Sequence, residues 1–375
     1  MKIGVIRETK EYEKRVALSP DAVKQLVKKG FEILVEQNAG QGSFYADTDY
    51  SAAGAVVGSR TEALTANLVL KVNPFTPEEI SGMSTGASCI SYMYAYTNKV
   101  MVEALNARSI TSFSMDAVPR ISRAQKMDAL SSQANLAGYK AVLLGANHLS
   151  KIFPLMMTAA GTITPSKVLI FGAGVAGLQA IATAKRLGAI VEVTDVRPET
   201  KEQVESLGGR FLTVEGAEGV KVTGGYASEV SEDFLKKQKQ LISERIREAD
   251  LVITTALVIG KKAPVLVSEE MVKTMKQGAV IIDMAVESGG NCEISEINKT
   301  VVKHGVTIVG ESNLPSLLAT NASQLYAANI STLLLHLFTK DGLQLNQDEE
   351  ITKGCLITHA GQLVHEFTKN ILTKA

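Results

Sequence analysis

At 375 residues the chain is long for one domain and comfortable for two. Thirty-nine basic residues balance thirty-nine acidic ones, so the formal charge is zero and nothing argues for nucleic acid or an anionic membrane as a partner. No apolar run approaches the roughly 20 residues a membrane helix needs, the start MKIGVIRETK has no signal-peptide core, and Cys89, Cys292 and Cys355 match no zinc or redox spacing.

In chain order, Lys2 to Ile6 is β-like. Ser19-Pro20 then supplies the N-cap and first residue of a helix that Gly30 ends. Strands are expected at 31–36, 68–72 and 89–95, with helical segments between them, which predicts a first α/β domain. This part has no glycine fingerprint. It carries Arg15 and Lys71 near strand ends, where the spacing alone favours two solvated cations.

Residues 120–138 read RISRAQKMDALSSQANLAG, dense in small and polar side chains and followed by a long helical stretch, 134–149. A capped polar loop accounts for the pattern. Its place just before the next motif also lets it face the reactive end of a ligand across an interdomain cleft.

That motif is KVLIFGAGVAGLQAIATAKRLGAIVEVTD, 167–195. A short apolar run predicts a buried strand. Gly172, Gly174 and Gly177 follow in GxGxxG spacing, 178–187 reads as a helix, and 190–194 as a second strand ending on Asp195. Gly172 permits the tight turn, Gly174 lets backbone approach a pyrophosphate at the helix N-terminus, and Gly177 lets helix and strand pack closely. A carboxylate 18 residues beyond the third glycine suits ribose hydroxyls and repels a 2′-phosphate, favouring NAD(H) over NADP(H). Arg197 reads most simply as a solvated loop residue.

Beyond it, VEGAEGVKVTGGYASEVSEDF reads as a long loop whose one tyrosine is Tyr226, and loops of that length are usually functional. Further strands at 251–255, 279–283 and 306–309 bring this domain to about six, as a doubly wound sheet needs. A helix is expected over 321–338 and another over LITHAGQLVHEF, 356–367. The expected architecture is α/β: two Rossmann-like domains with parallel sheets, joined by long crossing helices. The first uses residues 1–130 and 321–375, and the dinucleotide-binding domain, 131–320, is inserted in it.

No histidine sits in a motif-like setting. His359 and His365 are six apart, not the spacing that puts two ligands on one helix face, so no metal site is expected. An alcohol or amine dehydrogenase needs a general acid or base beside the nicotinamide, and no nominee stands out.

RETKEYEKRVALSP, RISRAQKMDALSSQANLAGY, the fingerprint through VTDVRPETKEQVESLGG, GGYASE and IIDMAVESGGN together resemble the NAD(H)-binding component of proton-translocating nicotinamide nucleotide transhydrogenase, a fold shared with alanine dehydrogenase. The resemblance runs through almost the whole chain. It implies an oxidoreductase that binds NAD(H) and passes hydride directly from NADH to NADP⁺ held by an NADP(H)-binding partner domain. It also implies a homodimer that docks on membrane-spanning subunits. The chain itself would then be cytoplasmic, peripheral on the inner face of the cytoplasmic membrane, with no direct insertion. Arg120, Gln125, Asp128 and Ser131 match the segment that positions the nicotinamide and its ribose. Gly172, Gly174, Val175, Ala176, Gly177, Asp195, Val196, Arg197 and Tyr226 fall at the nucleotide contacts, Tyr226 in a loop that closes over the ligand. Hydride transfer between two nicotinamides needs apposition and orientation rather than a base. The alternative is an alanine dehydrogenase. Arg15 and Lys71 match its keto-acid ligands, but Tyr94 stands where its histidine is expected and Glu287 where its aspartate is.

Overall fold

The apolar run at the start of the chain is strand Lys2–Val5, buried from Ile3 onward and paired in parallel with Glu32–Glu36 on one side and Leu68–Leu70 on the other. It lies inside the first sheet of a computed structural model that describes residues 1–213, 221–223, 226–229, 232–258 and 260–373, with backbone alone at 221–223, 226–229, 232–235 and 238. The chain divides into two units, Met1–Gln133 with Pro315–Ala375, and Ala134–Leu314.

The first unit holds an eight-stranded sheet ordered Gln362–Leu363, Leu356–His359, Thr111–Ser114, Ser88–Ser91, Leu68–Leu70, Lys2–Val5, Glu32–Glu36, Val56–Gly58. From Thr111–Ser114 onward every pairing is parallel. The two strands from the tail are antiparallel additions. They correct the expected helix over 356–367, where only Glu366–Leu372 is helical. Ala360 and Gly361, both at positive φ, turn the chain back, and Thr358 Oγ1 donates to the carbonyl of Ile110 on the neighbouring strand's approach. A short apolar run is ambiguous in period, and a partner some 246 residues away decides it.

The second unit has a seven-stranded sheet ordered Arg210–Phe211, Ile190–Thr194, Lys167–Phe171, Leu251–Thr254, Val280–Asp283, Val306–Val309, Thr300–Lys303. All pairings are parallel except the last. Successive residues feed opposite faces. Val168, Ile170, Val191, Val193, Leu251 and Ile253 pack in one apolar cluster, and Leu169, Phe171, Val252 and Ile281 in the other. Such two-sided burial is why these strands read as unbroken apolar runs. Each fully buried branched side chain contributes roughly 1.5–3 kcal/mol. The parallel-rich α/β class is thus as expected, with one antiparallel edge strand, Thr300–Lys303, that the sequence reading passed over because its residues are only half covered.

Helix Ala129–His148 contains the boundary between the units, whereas helix Ala319–Leu337 lies wholly in the first, so the chain passes back at Leu314–Pro315, before that second helix. The stretch read as one long loop contains strands Lys221–Thr223 and Tyr226–Glu229, paired antiparallel. Tyr226 thus stands in a strand, and its side chain and residues 214–220, 224–225 and 230–231 lie outside the described residues.

Candidate nucleotide site

Strand Lys167–Phe171 has Ile190–Thr194 on one side and Leu251–Thr254 on the other, so its carboxyl end is the point where strand order reverses. Open α/β sheets bind ligands outside such points. Gly172 leaves the strand at φ +100°, and its amide donates to the Thr194 carbonyl at 2.9 Å. A side chain at Gly177 would overlap the Gly172 carbonyl, which is how closely helix Val175–Arg186 approaches the turn. Gly138, on helix Ala129–His148, meets the Ala176 carbonyl as closely. Gly174 differs: a Cβ there would meet only Arg197 Nη2, at 3.9 Å. Gly174 is the N-cap and has no side chain to cap with. Helix geometry leaves the N–H groups of the first turn without intrahelical partners. Open space, free donors and the positive end of a helix dipole at one place fit a pyrophosphate.

Asp195 ends the next strand. Its Oδ2 accepts from the Ala173 amide at 2.7 Å, inside the glycine turn, and its Oδ1 from the Arg197 amide at 2.8 Å. Arg197 is not solvated. Its Nε and Nη2 donate to the two carboxylate oxygens at 2.9 and 2.8 Å, with the Asp195 side chain 4% and the Arg197 side chain 18% exposed. A carboxylate two residues away and almost wholly out of water outbids solvent for a guanidinium. Val196 lies between the two, half-buried.

The neighbouring strand ends are held by Asp283, fully buried. It accepts from Thr254 Oγ1, from the amides of Ala285, Asn291 and Cys292, and from Ser295 Oγ, all between 2.7 and 3.1 Å. Asn291 in turn bonds both the amide and the carbonyl of Ala256. These two side chains fix the loops after Thr254 and Asp283. The sequence reading had the segment but not this role, because a buried acid and a surface acid look alike in one letter.

In the first unit, residues Ser122–Met127 form a 3-10 turn that runs into helix Ala129–His148. Asp128 caps the helix: Oδ1 accepts from the Ser131 amide at 2.9 Å and Oδ2 from Ser131 Oγ at 2.6 Å. Arg120 and Gln125 are exposed on the turn leading to it. Asp128 and Ser131 are therefore brought together directly, with Arg120 and Gln125 on the same short segment.

Arg15 and Lys71 are buried, not solvated, which corrects the sequence expectation. Arg15 pairs with Glu13 at 2.7 Å and donates to Gln133 at 2.9 Å. Lys71 pairs with Glu79 at 2.8 Å. Burial would raise the Glu13 carboxyl, but Arg15 beside it holds it down at about 2. Among the described residues Glu8 has no such cation in contact. It accepts from the Val72 amide and from Asn73, and burial pushes it up to about 7 despite Lys71 nearby. Sequence reasoning missed Glu8 and Glu13 because RETKEYEKR is charged almost throughout, and Asn73 because it stands in no motif. Tyr94 is 37% exposed at φ 43°, its amide bonded to Asp116 and its ring stacked on Tyr92. Glu287 is exposed. The histidines bonded in the structure pair with Thr111, Glu269, Glu349 and Thr368, outside the polar segment.

A glycine turn at a switch point, with an acid ending the adjacent strand, defines a dinucleotide-binding α/β protein. The chain belongs to the alanine dehydrogenase/PNT family: the N-terminal domain of that family matches residues 4–137 and the C-terminal domain residues 141–366. It is 52% identical to an NAD(P) transhydrogenase subunit alpha chain of Rhodospirillum rubrum, over 97% of this chain and 98% of that one. It superposes on the transhydrogenase of Sinorhizobium meliloti with a TM-score of 0.89 at 45% identity, covering 97% of this chain and 100% of that one. An L-alanine dehydrogenase gives 0.82 at 28% identity, covering 100% and 99%. Within the family the chain is thus nearer the transhydrogenase alpha subunits than the alanine dehydrogenases. Among the described residues no helix is long and apolar enough to cross a membrane.

Proposed function

We propose that the chain is the NAD(H)-binding half of a proton-translocating transhydrogenase, passing hydride directly from NADH to NADP⁺ held by a partner domain. The observation that supports this reading is the presence in one chain of a complete phosphate turn and of a polar segment, residues 120–131, that carries hydrogen-bonding side chains and no histidine. NADH would supply the hydride. The backbone of Gly172, Gly174, Val175, Ala176 and Gly177 would hold its pyrophosphate, and Asp195, with Val196 and Arg197, its adenosine ribose. Arg120, Gln125, Asp128 and Ser131 would orient the nicotinamide and its ribose. Because no proton leaves either ring, orientation rather than acid–base chemistry is what these residues must supply. Tyr226 would belong to a segment that closes over the ligand.

Proton movement would lie in membrane-spanning partner subunits, which would keep the chain at the inner face of the cytoplasmic membrane. We read the chain as a homodimer. Hairpin Met156–Thr158 with Gly161–Ile163 supports this: it belongs to neither sheet, and it exposes Leu155, Met156, Met157 and Ile163. A two-stranded ribbon is marginal alone in water, and a second copy would cover it.

The test is NADH oxidation by the purified chain, with NADH binding followed by fluorescence in the same sample. Binding without turnover on pyruvate and ammonium, and turnover only when an NADP⁺-loaded partner is added, is the expected result. Steady turnover with pyruvate and ammonium would make the chain an amino-acid dehydrogenase instead.

A further inference from the structure

Asp195 accepts four hydrogen bonds, two on each oxygen. Oδ2 takes the Ala173 amide and Arg197 Nη2, and Oδ1 takes the Arg197 amide and Nε, all between 2.7 and 2.9 Å. An ionised carboxylate offers about four such positions, so this one has none to spare. It is also covered, its side chain only 4% exposed with the Arg197 guanidinium across it. The same guanidinium stands over the glycine turn, Nη2 lying 3.9 Å from where a Cβ at Gly174 would be. A ribose that binds Asp195 therefore meets a side chain already in its place.

The four donors are not equally free to leave. The Ala173 amide belongs to the turn between strand Lys167–Phe171 and helix Val175–Arg186. The Arg197 backbone is held as well, its carbonyl accepting from the amide and Oγ1 of Thr200 at 3.2 and 2.8 Å. Only the guanidinium, at the end of a flexible stem, can depart without moving backbone. Its departure opens one acceptor position on each oxygen of Asp195. The fork makes two parallel N–H···O bonds, and the two O–H groups of a vicinal diol can make a matching pair.

We propose that the Arg197 guanidinium stands in for the adenosine ribose on Asp195, and that the 2′ and 3′ hydroxyls of the dinucleotide displace it. The freed guanidinium stays within reach of Gly174, where a diphosphate would attract it. The proposal rests on the reading above that Asp195 holds the adenosine ribose. It makes Arg197 a residue that exchanges partners as nucleotide enters. The ribose then adds less affinity than two bonds to a bare carboxylate would give.

The experiment compares NADH with its 2′,3′-dideoxyadenosine analogue on the full chain, both titrated by nicotinamide fluorescence. The wild-type chain should bind the analogue within about threefold of NADH, because the guanidinium keeps Asp195 bonded when no hydroxyls arrive. Arg197→Ala should bind the analogue at least about tenfold more weakly than NADH, the weight of a hydrogen bond to a charged group. Crystals of the wild-type complexes give a second readout that needs no variant. With NADH, Arg197 Nε should lie beyond about 3.5 Å from Asp195 Oδ1, outside hydrogen-bond range, with ribose oxygens in its place. With the analogue, the pair should keep its 2.9 Å contact. The same ratio of affinities in both proteins, or a guanidinium still on Asp195 in the NADH complex, overturns the proposal: Arg197 is then a fixed support for the acid. Wild-type NADH binding is measured first. Its absence would overturn the reading of the site and this proposal with it, whereas binding with Arg197 unmoved overturns this proposal alone.

Discussion

Arg197 grips Asp195 across both carboxylate oxygens, at 2.9 and 2.8 Å, while Asp195 also ties the Ala173 amide of the glycine turn. The acid proposed to choose between nucleotides is thus paired with a cation and built into the turn it adjoins. A carboxylate alone repels a 2′-phosphate, but a paired one repels it less, and the guanidinium attracts it. Arg197→Ala should therefore sharpen selectivity, weakening NADPH about tenfold more than NADH in parallel fluorescence titrations. A fall in selectivity would show that Arg197 keeps Asp195 in place rather than offsetting its charge. Asp195→Ala should relax selectivity, and it should also lower Tm because the Ala173 amide loses its acceptor.

The glycines separate folding from binding. Gly177→Ala would drive a methyl into the Gly172 carbonyl, and overpacking of this kind costs roughly 1–3 kcal/mol. Gly174→Ala meets only Arg197 Nη2 at 3.9 Å. Thermal unfolding should show a clear drop for Gly177→Ala and little change for Gly174→Ala. NADH titration should nevertheless show a loss of tenfold or more for Gly174→Ala, if a pyrophosphate lies against that backbone.

Arg120 and Gln125 are exposed and lie outside the buried core, so their replacement should leave the chain folded, as thermal unfolding can check. Arg120→Ala or Gln125→Ala should slow hydride transfer to an NADP⁺-loaded partner by about 10-fold or more, while NADH binding falls by less than about threefold. Equal losses in both would mean that the residues only hold the nucleotide.

Glu8 makes stability depend on pH. Its carboxyl is pushed up to about 7 in the folded chain, against about 4.3 for an unperturbed glutamate. Between those values the folded state holds a proton that the unfolded state has released, so stability falls as pH rises through that window. Glu13, held near 2 by Arg15, works oppositely, and its contribution is lost only as pH falls below the unperturbed value. Thermal unfolding from about pH 4.5 to 8 should show Tm falling toward the alkaline end, and the fall should be smaller in Glu8→Gln. An identical pH slope in both proteins would show that Glu8 is ionised throughout.

Residues 167–195 were legible in the sequence because everything they do is local. The strand is buried on both faces and therefore uniformly apolar, the turn needs glycine at set positions, and the acid lies one helix away. The capping of helix Ala129–His148 by Asp128 and Ser131 is local as well. What the tertiary structure alone decided depends on partners distant in the chain. The tail is a strand because it adds to Thr111–Ser114. Arg15 and Lys71 are internal ion pairs rather than surface cations because Glu13, Gln133 and Glu79 close around them. The Tyr92 ring is buried because Tyr94 and Tyr326 pack against it. Periodicity and turn chemistry act over a few residues and can be read from the chain, whereas burial, and with it the state of every charge, is set by what folds on top.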